Sequence, residues 1–215
     1  MTAEQPIRDL TETEITSLHD DGVICVRQIL PHGWLARLAA GIDAVQAQLS
    51  PIGEVVSMTD KGFTADLFMW RRHEDFRAFV FESPMAHLAR QAMGSHTVTH
   101  WYDQLFVKEP GSEVPTPWHH DLTFWPDIDA ARSDFDLLSW EMEPGDVLLF
   151  HPLIVHGSSG NRSRTTRRRA LASRWAGDDV VYDPRPHTMP IPPKHGLEPG
   201  EHLGGPIFPL VLGQA

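Results

Sequence analysis

Apolar residues recur at helical spacing in the first half of the chain. Between residues 35 and 49 they occupy every third or fourth position, which predicts an amphipathic helix. Thr11 followed by Glu14 is typical of a capped helix N-terminus. A further helical pattern extends over residues 79–93. The polar and apolar spacing therefore predicts that residues 1–97 are mainly helical.

Runs of β-branched and aromatic residues predict strands mainly in the second half of the chain. The strongest lie at Val98–Val107, Val147–Phe150 and Ala170–Trp175, and a shorter one at Val23–Val26 precedes them. Helices first and strands later predict an α+β fold in which helices brace a sheet. The tail, residues 183–215, is rich in Pro and Gly and is expected to lie over the surface.

Composition limits the classes of protein that fit. The 215 residues suit a single domain, and 41% of them are apolar, enough for a sizeable core. A net charge of −11 makes binding of nucleic acid or of anionic membranes by charge a poor fit. The lone cysteine, Cys25, excludes an internal disulfide. With no apolar run of membrane-spanning length and no signal-peptide pattern, we expect a cytoplasmic protein.

The segment Trp118–Asp121 carries the most specific chemistry. Residues two apart on a strand point to the same face, so His119 and Asp121 share a face while His120 points away. If His120 were the ligand, its partner would be Leu122, which cannot bind a metal. Two histidines and one carboxylate form the facial triad that holds non-haem Fe(II). His-x-Asp alone is common, and polar residues in a surface loop are the alternative.

Two histidines, His151 and His156, are candidates for the third ligand. We favour His156, which directly precedes the small segment Gly157–Asn161, where a backbone can approach a bound molecule closely. His151 is expected to be structural or to lie on the surface.

The arginine run that follows suggests an anion site. The planar guanidinium group binds a carboxylate through two parallel hydrogen bonds. Strand alternation places Arg168 on one face with Ala170 and Ala172, whose small side chains leave room for a ligand. Arg167 and Arg169 remain alternatives within one position. A solvated basic patch or a nucleic-acid contact is the other interpretation, and the acidic overall charge argues against the latter.

These segments, in this order, resemble the phytanoyl-CoA dioxygenase family of Fe(II)/2-oxoglutarate-dependent oxygenases. The resemblance covers most of the chain. The matching segments are Asp103–Gly111, Thr116–Asp121, Pro144–His151, His156–Ser158, Asn161 and Arg168–Leu171.

The resemblance implies a double-stranded β-helix, a cupin-like jelly roll. Residues 98–182 would then form the jelly-roll core of a single domain spanning 1–215, braced by the N-terminal helices. The implied site residues are His119, Asp121 and His156 as ligands of Fe(II), with Arg168, Ser158 and Gln104 binding 2-oxoglutarate.

The activity implied is hydroxylation of a small-molecule or lipid-like substrate by molecular oxygen, with succinate and CO2 as co-products and ascorbate as an accessory reductant. Family halogenases replace the carboxylate ligand with a small residue, so Asp121 favours hydroxylation. His156 follows Asp121 by 35 residues, which is short for the family. A jelly roll that loses strands is hard to close, so the sheet is expected to be shortened. The alternative is therefore a catalytically impaired, metal-binding jelly-roll protein, either a pseudoenzyme or cupin-like.

Overall fold

The computed structural model describes residues 3–121, 123–124, 137–184 and 195–214. No helix in these ranges is long and apolar enough to cross a membrane. The helices are α1 (Glu12–Asp21), α2 (His32–Ala47), α3 (Pro51–Val56), α4 (Glu74–Glu82) and α5 (Met85–Met93). The strands are β1 (Val23–Val26), β2 (Phe63–Leu67), β3 (Val98–Lys108), β4 (Thr116–His120), β5 (Thr123–Phe124), β6 (Val147–Phe150), β7 (His156–Ser158), β8 (Arg168–Ala176) and β9 (Leu210–Leu212).

The first helix begins and ends as its sequence predicts. The Thr11 side chain accepts a hydrogen bond from the Glu14 backbone N–H, and the Glu14 carboxylate accepts one from the Thr11 N–H. This reciprocal pair satisfies two N–H groups that have no partner within the helix. Gly22 ends the helix at φ 74°, a left-handed conformation that favours glycine.

The helix expected over residues 79–93 is instead two helices, so that prediction is wrong. Ser83 and Pro84 separate α4 from α5, and Ser83 adopts an extended backbone at ψ 164°. The proline ring clashes with a helical residue before it, which ends α4. Pro84 then starts the new helix, because its missing N–H is not needed there.

Antiparallel pairing forms three groups of strands. The long strand β3 pairs with β2, β8 and β9 in a four-stranded sheet. Strands β5, β4 and β7 form a second sheet, and β1 pairs with β6. In the part of the chain described, the second sheet has three strands, and β5 is only two residues long. The shortened sheet expected from the spacing of Asp121 and His156 stays a prediction, because residues 122 and 125–136 of that segment lie outside the described residues.

The four-stranded sheet separates the core from the candidate site. On one face Leu105 and Val107 are fully buried in a cluster with residues of α2 and α4. Alternation along β3 directs Tyr102, Gln104 and Lys108 to the opposite face. That face is turned toward β4 and β7, as the contacts below show.

The N-terminal and C-terminal regions both supply strands that the sequence patterns missed. Strand β2 lies in a stretch whose pattern is mixed, and it pairs with β3 from Phe63 to Leu67. The tail does not lie wholly on the surface, since Ile207 and Phe208 are buried. Strand β9 then pairs with the start of β3. These short apolar segments pack because the edge of β3 is available to them.

His100 makes stability depend on pH. Its ring is fully buried beside Trp175, with a centroid distance of 4.9 Å, and burial lowers its pKa to about 3. In the unfolded chain the ring binds a proton below about pH 6.5. The unfolded state is therefore favoured progressively as the pH falls from about 6.5 toward 3.

We expect His100→Leu to reduce the loss of stability between pH 6.5 and pH 4, because the variant lacks this titrating ring. Urea unfolding at both pH values, compared between the wild type and the variant, measures the difference. An exposed histidine, His202, provides the matched control: His202→Leu should leave the pH dependence of the wild type intact. Equal pH dependence in all three proteins would contradict the assignment to His100.

Candidate functional site

Three side chains with metal-binding atoms converge between β4 and β7. His119 lies in β4, Asp121 follows that strand, and His156 begins β7. Pairing of β4 with β7 places His119 opposite His156. One potential ligand atom from each residue lies within 4.8 Å of the other two. The Nε2 atoms of His119 and His156 lie 4.0 Å and 3.9 Å from the same oxygen, Oδ1 of Asp121.

In both imidazole rings, Nε2 is the nitrogen that lies near the Asp121 carboxylate. Nδ1 of His119 lies 2.7 Å from the Pro117 carbonyl, and Nδ1 of His156 lies 2.9 Å from the Ile154 carbonyl. Because a carbonyl only accepts, Nδ1 must carry the proton in each ring, which leaves Nε2 unprotonated in the neutral form. Burial also lowers the pKa of His156, which favours the neutral ring. The donor set therefore fits a divalent transition metal with open positions.

The two rival histidines lie outside this cluster. In the pairing of β4 with β5, His120 lies opposite Thr123 and His119 lies opposite Phe124. His151 is exposed after β6, and its Nδ1 accepts a hydrogen bond from the Leu153 N–H. The two rings that lie near Asp121 are those of His119 and His156, the histidines that the sequence favoured as ligands.

Arg174 holds the Asp121 carboxylate from the facing sheet. Its Nε donates to Oδ2 at 3.0 Å and its Nη2 donates to Oδ1 at 2.9 Å. Both side chains are largely buried, with 13% and 7% exposed. Burial alone would raise the pKa of Asp121, but the hydrogen bonds and charge of Arg174 outweigh it and lower that pKa. Asp121 is therefore ionised, as a metal ligand must be.

Sequence reasoning did not single out Arg174, although the signal was present. The alternation that groups Arg168, Ala170 and Ala172 continues to Arg174 on the same face of β8. Pairing of β8 with β3 sets Arg174 opposite Tyr102, and its guanidinium carbon lies 4.4 Å from the centre of the Tyr102 ring.

The residues expected to bind 2-oxoglutarate lie on or next to the same sheet face. Gln104 of β3 is opposite Ala172 of β8, and Arg168 is exposed at the start of β8. Ser158 ends β7, the strand that begins with the ligand candidate His156.

Lys108 is a second site residue that the sequence analysis missed. It is 1% exposed, and its Nζ donates to Ser158 Oγ at 3.0 Å and to the Ser159 carbonyl at 2.9 Å. Burial, followed by the charge of the adjacent Arg168, lowers its pKa to about 8. The signal available was its position on the same strand face as Gln104, directly after the apolar residues Leu105–Val107. Lys108 and Arg168 together make this end of the sheet face strongly cationic.

The neighbouring arginines are engaged elsewhere. Arg167 forms ion pairs with Glu109 at 2.8 Å and with Asp43 at 3.4 Å. Arg169 binds the same Asp43 at 3.0 Å. These surface ion pairs offset the charge of the arginine run, which weakens its interpretation as a nucleic-acid contact.

The glycine-rich loop after β7 approaches protein backbone. A Cβ atom on Gly160 would lie 2.5 Å from the Ser112 carbonyl oxygen, so only glycine fits without movement. Asn161 then fastens the loop, since its amide donates to the carbonyls of Lys108, Glu109 and Thr166 at 2.9, 3.2 and 2.8 Å. Asn161 is itself buried, so this end of the loop is packed against the protein.

We expect Asn161→Ala to lower the free energy of unfolding by about 2–4 kcal/mol, because it removes a buried donor and leaves one buried and two partly buried carbonyls without it. Denaturant unfolding measures this change. The exposed neighbour provides the control, and Arg162→Ala should change stability by less than about 0.5 kcal/mol. Similar, small effects of both substitutions would show that the Asn161 amide does not fasten the loop.

Comparison with known proteins identifies the family. The sequence model described as phytanoyl-CoA dioxygenase matches residues 18–138 and 127–170. The chain belongs to the phytanoyl-CoA dioxygenase family. The resemblance drawn from the sequence motifs is thereby confirmed, and the two matched stretches overlap within the short Asp121–His156 segment.

A curated family relative shows local identity. A probable phytanoyl-CoA dioxygenase of Caenorhabditis elegans is 48% identical over 40 residues. That alignment covers 19% of this chain and 12% of the relative. This phytanoyl-CoA dioxygenase family chain therefore matches only a small part of the curated protein.

Solved structures confirm the jelly-roll architecture of this family member. The non-haem α-ketoglutarate-dependent carbocyclase SnoK of nogalamycin biosynthesis superposes with a TM-score of 0.75 at 18% identity, covering 94% of this chain and 96% of SnoK. EctD from S. alaskensis, solved with 2-oxoglutarate and 5-hydroxyectoine, gives a TM-score of 0.69 at 16% identity, covering 93% and 88%. The expected α+β fold with a cupin-like jelly roll is confirmed.

Proposed function

We propose that the protein is a non-haem Fe(II)/2-oxoglutarate-dependent dioxygenase that hydroxylates a small-molecule or lipid-like substrate. The observation that carries this proposal is the convergence of His119, Asp121 and His156, whose potential ligand atoms lie within 4.8 Å of one another. Membership of the phytanoyl-CoA dioxygenase family supports it. SnoK is α-ketoglutarate-dependent and EctD was solved with 2-oxoglutarate, which supports the choice of cosubstrate.

The three ligand candidates would hold Fe(II) and leave its opposite face open. Each histidine contributes Nε2, because its Nδ1–H is bonded to a backbone carbonyl. Asp121 contributes a carboxylate oxygen whose orientation Arg174 fixes. When bound, Fe(II) would allow one molecule of oxygen to convert 2-oxoglutarate to succinate and CO2 and a substrate C–H bond to C–OH.

The cationic end of the sheet face would bind the distal carboxylate of 2-oxoglutarate. Arg168 offers a planar pair of donors, and the Ser158 hydroxyl offers a further donor nearby. Lys108 holds the Ser158 hydroxyl in place through its ammonium group. Gln104 lines the same face between this end and Arg174, so we assign it to the wall of the cosubstrate pocket.

Hydroxylation is the outcome that we propose for the substrate, because Asp121 retains the carboxylate. The structural relatives support a small-molecule substrate, since EctD was solved with 5-hydroxyectoine. The alternative, an impaired metal-binding jelly roll, rests on the short segment between Asp121 and His156.

Succinate release separates these two functions. The purified protein is incubated in air with Fe(II), ascorbate and 2-oxoglutarate, with no substrate added, and succinate is quantified. A dioxygenase should form succinate slowly through uncoupled turnover. Absence of both succinate and 2-oxoglutarate binding, in protein that retains iron, would favour the impaired metal-binding alternative.

A further inference from the structure

Arg174 contacts the proposed metal ligand Asp121 directly. It binds both oxygens of Asp121 at 2.9 and 3.0 Å. It reaches across from β8 of the four-stranded sheet, whereas Asp121 follows β4 of the other sheet. This ion pair therefore joins the two layers at the candidate metal centre.

The guanidinium plane is itself held in place. Its central carbon lies 4.4 Å from the centre of the Tyr102 ring, a cation–π contact. Nη1 of Arg174 is buried and has no hydrogen-bond partner in the part of the chain that the structure describes. The stacking, together with two hydrogen bonds to one carboxylate, leaves the Arg174 fork little rotational freedom.

This arrangement distinguishes the two Asp121 oxygens. Oδ1 lies about equally far from the two histidine Nε2 atoms, at 4.0 and 3.9 Å, and is the oxygen directed into the ligand cluster. Both oxygens accept a hydrogen bond from the Arg174 fork, Oδ1 from Nη2 at 2.9 Å and Oδ2 from Nε at 3.0 Å. A metal that bound both oxygens would need the side of the carboxylate that the fork already occupies, so Oδ1 alone is placed to bind a metal from the side of the histidines.

We propose that Arg174 is a positioning residue that makes Asp121 a monodentate metal ligand and so keeps a coordination position open for the cosubstrate. This inference rests on the proposed iron site. The paired hydrogen bonds to Asp121 require the planar guanidinium group of Arg174 as well as its charge, because a single ammonium group cannot hold both carboxylate oxygens in one plane.

Metal binding by defined variants tests the role. Co(II) is titrated into the metal-free wild type and into Arg174→Gln, Arg174→Lys and Arg169→Gln, with binding followed by calorimetry and by the visible Co(II) absorption, which reports coordination number. Arg169→Gln is the matched control, since Arg169 lies on the same strand but pairs with Asp43 at the surface. Circular dichroism and the Tm of each metal-free variant monitor folding.

We expect Arg174→Gln and Arg174→Lys each to weaken Co(II) binding by about 10- to 100-fold, the usual effect of removing a partner of a metal ligand. At saturating Co(II), their spectra should shift toward a higher coordination number as Asp121 binds through both oxygens. Arg169→Gln should match the wild type in affinity and spectrum.

Three results would overturn the proposal while leaving the iron site intact. The first is an Arg174→Gln variant with the Co(II) affinity and spectrum of the wild type. The second is tighter Co(II) binding by Arg174→Gln than by the wild type. The third is wild-type Co(II) affinity and spectrum in Arg174→Lys, which would assign the effect to charge alone. If Arg174→Gln does not fold, the comparison of Arg174→Lys with the wild type decides. Failure of the wild type to bind Co(II) would instead overturn the proposed metal centre itself.

Discussion

Asp121→Ala is expected to abolish succinate formation and to weaken Fe(II) binding by more than about 100-fold, since loss of an outer partner alone costs 10- to 100-fold. Asp121 supplies the one carboxylate of the ligand cluster. Its removal also leaves the largely buried Arg174 without its carboxylate partner. Anaerobic Fe(II) titration and the succinate assay measure the two effects separately.

His120→Ala is the matched control, because it removes an imidazole from the adjacent position of the same strand. We expect it to retain Fe(II) affinity within a few-fold of the wild type and to retain most of the succinate formation. Equal losses in His120→Ala and Asp121→Ala would mean that the assignment of His119 and Asp121 to the metal-facing side is wrong.

Arg168→Ala is expected to raise the 2-oxoglutarate concentration needed for half-maximal succinate formation by about 10- to 100-fold, because a hydrogen bond between charged groups contributes roughly 1.5–3 kcal/mol. Fe(II) affinity should be nearly unchanged, since Arg168 lies at the far end of β8 from Arg174. Titration of 2-oxoglutarate at saturating Fe(II) measures the change.

Two other arginines serve as controls for Arg168. Arg164→Ala removes an exposed guanidinium from the preceding loop, and Arg169→Ala removes one that is paired with Asp43. Both should change the 2-oxoglutarate requirement by less than about threefold, as expected of surface charges. A larger effect from Arg169→Ala than from Arg168→Ala would move the cosubstrate contact by one position.

Strand periodicity was sufficient to predict that His119 and Asp121 lie on the same side of the chain, and their side chains do lie close together. Alternation selected His119 over His120, and their placement depends only on β4 being a strand. The same periodicity in β8 also places Arg174 on the face of Arg168, but the prediction did not include Arg174. The ion pair of Arg174 with Asp121 could not be predicted, because it depends on how the two sheets face each other.

Other parts of the fold depend on tertiary contacts that leave little periodic signal. Strand β9 is only three residues long, and it forms because the start of β3 offers unpaired backbone groups. Pro84 indicated a break between α4 and α5, but the helical spacing of apolar residues on both sides of it predicted one continuous helix. Lys108 was not predicted as a site residue, because a lysine after an apolar run usually marks the solvent-exposed end of a strand rather than a buried contact such as the one with Ser158.

The measurement that tests the proposed function most directly is the visible absorption of the protein with Fe(II) and 2-oxoglutarate under anaerobic conditions. Chelation of the iron by 2-oxoglutarate within the site produces a metal-to-ligand charge-transfer band. We predict that the wild type shows this band, that Asp121→Ala lacks it, and that Arg168→Ala needs more 2-oxoglutarate to reach it. Wild-type protein that binds Fe(II) but shows no band at saturating 2-oxoglutarate would contradict assignment as a 2-oxoglutarate-dependent dioxygenase.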